Sequence, residues 1–329
     1  MFKRVITIAL FFGLGLAANQ TVHADSPNFG VAAVLPSNQI NRERHYYDLV
    51  VAPGSTQTLT LAIQNTDTGT QRFKVSTNRA TTSATGTIDY GQHAPAKPKT
   101  LGVDIETLLP KAKTYSLAPH TTKQIHLKLT APKSAWTGVL LGGIRVEKLT
   151  GTKVAGSALT VRAAETIPLQ LRATKTLPPL TPKLTFSGIS VHPSANGTQI
   201  GVRLTNAVPA ITTGVNVHAS VYRAHVKKAS LQKDANDLKF APNSEMTLPL
   251  SAEPSTLAAG KYRLAVTATK GDQHWHWRKS FTIKSAVTKT KQTATKTAPA
   301  RATPLWVGGL LIAIVAVLGW IAWHLRHHD

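Results

Sequence analysis

PGSTQTLTLAIQNTDTG, residues 53–69, decides the fold class of this chain. Leu59, Leu61 and Ile63 place an apolar side chain at every second position. That is the period of a strand with one face buried. Pro53-Gly54 stands before the run and Asn65-Thr66-Asp67-Thr68-Gly69 after it, and these are turn residues. The same pattern recurs on both sides. Phe73-Lys74-Val75, Ile125-His126-Leu127-Lys128-Leu129 and Val139 to Val146 read as further strands. Leu159 to Val161, Ile167 to Leu171, Ile200 to Leu204, Val215 to Tyr222, Met246 to Leu250, Tyr262 to Thr267 and Phe281 to Ile283 continue the series. No long helical period interrupts them.

Short strands at this spacing predict an all-β chain built of β-sandwiches. Ile200, Val202 and Leu204 followed by Asn206 mirror Leu59, Leu61 and Ile63 followed by Asn65, so two modules of one design are expected. The expected boundaries are 25–150 and 151–284, with a short glycine-containing junction near 150–160. Leu177-Pro178-Pro179-Leu180-Thr181-Pro182 reads as a stiff connection early in the second module.

Composition narrows the function. The chain has 329 residues, a net charge of +23 and no cysteine. The missing cysteines exclude a disulfide framework, Cys-ligated zinc, iron–sulfur clusters and thiol catalysis. Residues 25–150 carry 14 basic and 8 acidic side chains, and residues 151–284 carry 17 and 6. A basic excess suggests a nucleic-acid ligand, but both ends of the chain point to a membrane.

Lys3 and Arg4, the apolar Val5–Ala18 and Val22-His23-Ala24 have the order of a secretory signal peptide cleaved after residue 24. Leu305 to Trp323 runs for nineteen residues without a charge, about 28 Å of helix, which matches a bilayer core. Trp306, Trp320 and Trp323 stand near its edges as interfacial aromatics do. Between the modules and this span, residues 285–304 hold four basic side chains, two prolines and no acid, a solvated stalk. A tail at 324–329 follows. The expected localisation is a cell membrane, single-pass and type I, with the ectodomain facing the cell wall.

No HExxH, GxSxG, Walker loop or glycine-rich strand-to-helix turn occurs, so no enzyme and no cofactor is expected. Asp104 and Glu106 share a face if extended, and a solvated edge is the simpler reading of such a pair. On a strand, His274-Trp275-His276-Trp277 turns both tryptophans to the core and both histidines outward. The two imidazoles have no identifiable third metal ligand. Tyr46, Tyr47, Tyr90 and Trp136 are the candidates for stacking on sugar rings. Trp275 and Trp277 are the candidates for partner contact in the second module. Gly138, Gly142 and Gly143 interrupt a strand, which implies a bulge or a close backbone approach.

Several stretches, in this order, resemble the WxL-interacting proteins. NFGVAAVLPSNQ at 28–39, YYDLVVAPGSTQTLTLAIQNT at 46–66, NRATTSATGTIDY at 78–90 and WTGVLLGGI at 136–144 are similar to the family's first module. VHASVYRA, LKFAPNSEMTLPLS, LAAGKYRLAVTAT and WHWRKSFTI within 217–283 are similar to its second. The resemblance implies two immunoglobulin-like modules on a Gram-positive surface. The first would bind peptidoglycan and the second host extracellular-matrix proteins, and the family is linked to complexes with WxL-domain surface proteins. The expectation is therefore a non-enzymatic, membrane-anchored binding and scaffold protein. The alternative is an accessory or sensor subunit of a cell-envelope enzyme complex.

Overall fold

The computed structural model describes residues 28–93, 97–153, 160–194, 197–250 and 257–284. The expected signal peptide, stalk, membrane span and tail lie outside the described residues, as does Leu159. Among the described residues no helix is long and apolar enough to cross a membrane.

The described chain is all β apart from one 3-10 turn at Ile105–Thr107. The strands, in order, are β1 (Phe29–Val34), β2 (Tyr47–Val50), β3 (Thr56–Asn65), β4 (Gln71–Arg79), β5 (Thr81–Thr82), β6 (Ile88–Asp89), β7 (Lys113–Leu117), β8 (Thr122–Thr130), β9 (Leu140–Lys148), β10 (Thr152–Lys153), β11 (Thr160–Val161) and β12 (Ala164–Arg172). They continue with β13 (Leu184–Ser194), β14 (Gly197–Asn206), β15 (Thr212–Arg223), β16 (Ala229–Phe240), β17 (Glu245–Pro249), β18 (Gly260–Lys270) and β19 (Gln273–Ile283).

The first sandwich packs the sheet β1-β3-β8 on the sheet β2-β12-β9-β4-β7. Strand β3 buries the expected Leu59, Leu61 and Ile63, and β8 pairs Leu127 with Leu59 and Ile125 with Leu61. Both rows enter one core with Phe29, Tyr47, Phe73, Ile144 and Leu169. Each fully buried Leu or Ile contributes on the order of 1.5–3 kcal/mol. The second sandwich joins β13-β14-β17 to β16-β15-β18-β19. Its core holds Ile200, Val202 and Leu204 from β14, Phe240 from β16, and Leu264 and Val266 from β18.

The boundary between the sandwiches differs from the expected one. Strand β12, assigned from sequence to the second module, belongs to the first. It runs antiparallel to β9 and parallel to β2, and Leu169 and Leu171 fill the first core. The expected junction near 150–160 instead carries the small β10–β11 hairpin, between β9 and β12. Alternation marks a buried face but not the core that buries it. Pro168 falls one residue before the pairing with β2 begins, where β12 still has a free side. The proline-rich run at 177–182 lies between β12 and β13 and so connects the two sandwiches.

The repeat glimpsed at Asn65 and Asn206 extends to the hydrogen bonds. Asn65 Nδ2 donates to the carbonyls of Gly69 and Ala118, at 3.0 and 2.9 Å. Asn206 Nδ2 donates to Ala210 and Ala241, at 2.8 and 2.9 Å. The Asn65 N–H reaches the Thr121 carbonyl and the Asn206 N–H the Ser244 carbonyl, both at 2.9 Å. Ala118-Pro119-His120-Thr121 and Ala241-Pro242-Asn243-Ser244 are thus equivalent turns, each with its third residue at positive φ.

A third apolar cluster lies between the sandwiches. Ala80, Val139, Leu141 and Ala241 form its buried part, with Ile88, Tyr90 and Leu177 against it. The Val139 N–H donates to the Pro209 carbonyl at 2.8 Å and the Lys239 N–H to the Gly86 carbonyl at 2.7 Å. Of the two readings of the strand glycines, close approach is realised. A Cβ on Gly142 would stand 2.6 Å from the Asn78 carbonyl oxygen, and one on Gly143 would stand 2.7 Å from the Tyr90 Cβ. Strand β9 passes through both without a bulge.

Candidate functional site

The four aromatic candidates of the first sandwich occupy different environments. Tyr47 is 0% exposed and its hydroxyl donates to the Thr60 carbonyl at 2.5 Å. Burial pushes its phenol up to about 12. As an inward residue of β2 it has no free face for a sugar, which corrects its assignment. Tyr90 packs half-buried in the cluster between the sandwiches, and burial raises its phenol. Trp136 packs half-buried on the first core, and its indole N–H is buried without a hydrogen-bond partner among the described residues.

Tyr46 is the candidate whose setting is built. The Gln39 side chain donates to the Tyr46 carbonyl at 2.9 Å while its Oε1 accepts the Asp48 N–H at 3.0 Å. Asp48, 1% exposed, accepts from Gln170 Nε2 at 2.9 Å and Arg172 Nη2 at 3.0 Å. Arg44 bonds the Tyr46 hydroxyl and lies 5.3 Å from the ring centre. The backbone of the loop before β2 is thus tied through Gln39 and Asp48 to β12, and Arg44 lies against the half-buried Tyr46 ring. The ring contacts among the described residues do not bring Tyr46, Tyr90 and Trp136 together.

Asp104 and Glu106 form no solvated edge. Asp104 Oδ2 accepts from Arg79 Nη1 at 2.7 Å, and both side chains are buried. Lys97 Nζ lies 3.1 Å from the same oxygen, and Glu106 accepts the Arg79 N–H at 2.8 Å. Burial by itself would raise the Asp104 carboxyl, but Lys97, Arg79 and the Glu106 N–H outweigh it and hold it below its ordinary value. The pair fastens the loop after β6 to strand β4.

In the second sandwich the alternation of HWHW places the side chains as expected. Trp275 and Trp277 lean half-buried on the second core, with the Trp277 ring 6.4 Å from Phe186. His274 and His276 are exposed. Among the described residues no group of three or more His, Asp or Glu could hold a metal ion. Strand β19 is the edge of its sheet, and Arg278 and Lys279 on it are exposed.

One feature of this sandwich escaped the sequence reading. At the end where the β15–β16 turn meets the start of β18 and the end of β19, an open recess of about 740 Å³ is lined by Arg223, Lys227, Lys261 and Arg263, with His225 beside them. The RAHVKK run at 223–228 signals part of it. Lys261 and Arg263 join it only through strand pairing.

The chain is thus a tandem β-sandwich protein with a held aromatic loop on the first sandwich and a cationic recess on the second. Residues 29–148 match the model of the WxL Interacting Protein peptidoglycan binding domain. Residues 155–293 match that of the WxL Interacting Protein host binding domain. The chain belongs to the WxL-interacting protein family. The second match begins at residue 155 and so takes in β12, which pairs within the first sandwich. No curated protein matches the chain.

Among solved structures, the Salmonella enterica SafA pilin in complex with the SafB chaperone is 12% identical, with 78% of this chain and 98% of that chain covered and a TM-score of 0.29. The Escherichia coli chaperone DraB is 13% identical over 78% and 98%, with a TM-score of 0.27. A protein of unknown function from Porphyromonas gingivalis W83 is 10% identical over 78% and 100%, with a TM-score of 0.25.

Proposed function

We propose that this chain is a membrane-anchored protein of a Gram-positive surface, whose first sandwich holds peptidoglycan and whose second docks WxL-domain proteins or host extracellular-matrix proteins. The observation that carries the reading is the succession of two binding-domain models on one chain, at 29–148 and 155–293. The charge-free segment at 305–323 and the signal sequence at 1–24 supply the anchor and the export route. The two sandwiches contribute no catalytic step to this function; they bind and present.

Within the first sandwich, Tyr46 and Trp136 are the rings for the glycan. An aromatic face takes up the apolar face of a sugar, and a ring already held in place loses little freedom on binding. Tyr46 meets that condition through Arg44, which bonds its hydroxyl and lies over its ring. Partner docking in the second sandwich would use the β19 edge, where a further strand adds to the free backbone groups of a sheet.

The test is retention of the full chain on peptidoglycan stripped of its anionic polymers, in dilute buffer and in about 0.5 M salt, where surface charges are screened. Retention that survives salt and falls about tenfold in Tyr46→Ala, a loss of the size that base–aromatic stacking shows on alanine substitution, is expected. Retention that vanishes in salt, or that Tyr46→Ala and Trp136→Ala both leave unchanged, overturns the glycan assignment.

A further inference from the structure

We propose that the recess at the end of the second sandwich is a binding site for a phosphodiester polymer of the cell wall. Arg223 closes β15, Lys227 stands in the turn to β16, and Lys261 and Arg263 lie near the start of β18. All four are exposed. No Asp or Glu is among the residues that line the recess. None of the four forms an ion pair among the described residues, whereas Arg203 and His218 of the same sandwich do. Like charges that line one recess without counter-charges repel one another, and an anion that enters relieves that repulsion.

The backbone holds the cations in place. The Ala224 N–H donates to the Lys261 carbonyl at 2.9 Å and the Val226 N–H to the Arg223 carbonyl at 3.0 Å. His225 takes a positive φ of 64° between them, which tightens the turn that carries Lys227. The Arg263 guanidinium lies 4.9 Å from the centre of the Tyr222 ring. Such stacking orients its fork of donors for an oxyanion.

Spacing argues for a polymer rather than a single anion. Lys261 and Arg263 are two residues apart on one strand and share a face, so their Cα atoms stand about 7 Å apart. That suits a flexible chain with one charge per repeat. The exposed Val226 gives the recess an apolar contact for the polyol between phosphates, while Tyr262 and Phe281, stacked at 5.7 Å on the second core, fix the strands beneath it. The choice of a wall polymer rests on the reading that the first sandwich holds peptidoglycan. The site itself does not.

The test titrates the full chain with soluble polyglycerol phosphate in about 0.15 M salt, where the screening length is about 8 Å. Lys227→Glu with Lys261→Glu is compared with Lys123→Glu and Lys128→Glu, an equal charge change on exposed positions of β8. The recess pair should weaken binding at least about tenfold and the β8 pair about twofold, since only close charge pairs escape screening. Both variants should keep the wild-type melting midpoint, and the recess pair should keep wild-type retention on stripped peptidoglycan. That readout separates this site from the glycan reading. Equal losses in the two pairs, no binding at all, or tighter binding of dextran sulfate than of polyglycerol phosphate overturns the proposal.

Discussion

Thr82 and Ser244, 162 residues apart and on different sandwiches, place their hydroxyl oxygens 2.5 Å from each other in a buried position. The Ala241 N–H donates to Thr82 Oγ1 at 3.0 Å and Ser244 Oγ donates to the Ala241 carbonyl at 2.8 Å. One arrangement of protons satisfies all three contacts. Thr82 donates to Ser244, Ser244 to the Ala241 carbonyl, and the Ala241 amide to Thr82, which closes a ring. Thr121 occupies the equivalent turn of the first sandwich and makes the same bond to the Ala118 carbonyl, at 2.8 Å, but there the turn faces solvent.

Thr82→Val keeps the shape and removes the hydroxyl, which leaves the Ala241 amide buried and unpaired. The expected loss is about 1–3 kcal/mol, read as a lower urea midpoint. Ser244→Ala should couple to it by at least about 0.5 kcal/mol in a double-mutant cycle. Strict additivity of the two substitutions would count against the closed ring.

Gly138 has a φ of 78°, and a Cβ there would overlap the Pro209 carbonyl oxygen, beside the Val139–Pro209 hydrogen bond. Gly138→Ala should therefore part the sandwiches while sparing both cores. The expected readout is faster proteolysis within 173–183 with little change in far-ultraviolet circular dichroism. An unchanged cleavage rate would mean that the contact yields without cost.

Asn65 Nδ2 faces three carbonyl oxygens, those of Gly69, Leu117 and Ala118. Asn65→Ala should cost about 1–3 kcal/mol by leaving buried acceptors unpaired. Asn65→Asp should cost more at neutral pH, because it turns a carboxylate toward those oxygens. The order of urea midpoints, wild type above Ala above Asp, is the check, and the same order is expected at Asn206. A variant with Asp that matches Ala would show that the site admits water.

The Asp104 carboxyl titrates below its ordinary value in the folded chain because Lys97, Arg79 and the Glu106 N–H outweigh its burial. Its stabilising contribution is complete above the unfolded value of about 3.9 and is lost as pH falls through the lower folded value. Asp104→Asn should therefore lower the urea midpoint at pH 7. The gap to wild type should close in the acid range below pH 4. A gap that stays constant to pH 2 would place the acid sensitivity elsewhere.

The strands with clean alternation were legible in the sequence. Strands β3, β8, β14 and β18 carry their apolar residues at every second position and fold as read. Strand β16 was not legible. ASLQKDANDLKF buries only Leu231, Leu238 and Phe240, and its pairing with β15 shifts register three times. Each shift breaks the period of two that marks a strand. At the first-sandwich site the aromatic residues could be named, but not their roles. Adjacent residues of a strand point to opposite faces, and only packing shows that Tyr47 faces the core while Tyr46 does not.

By itself the sequence determined an all-β chain, its repeated design and its family, because side-chain period, turn residues and motif order are local properties that lie along the chain. Tertiary structure alone decided three other matters. It assigned β12 to the first sandwich, since alternation specifies a buried face and not a partner. It joined Thr82 to Ser244 across 162 residues. It gathered Arg223, Lys227, Lys261 and Arg263 at one end of a sheet, since antiparallel pairing brings distant residues side by side at the spacing of neighbouring strands, about 4.8 Å.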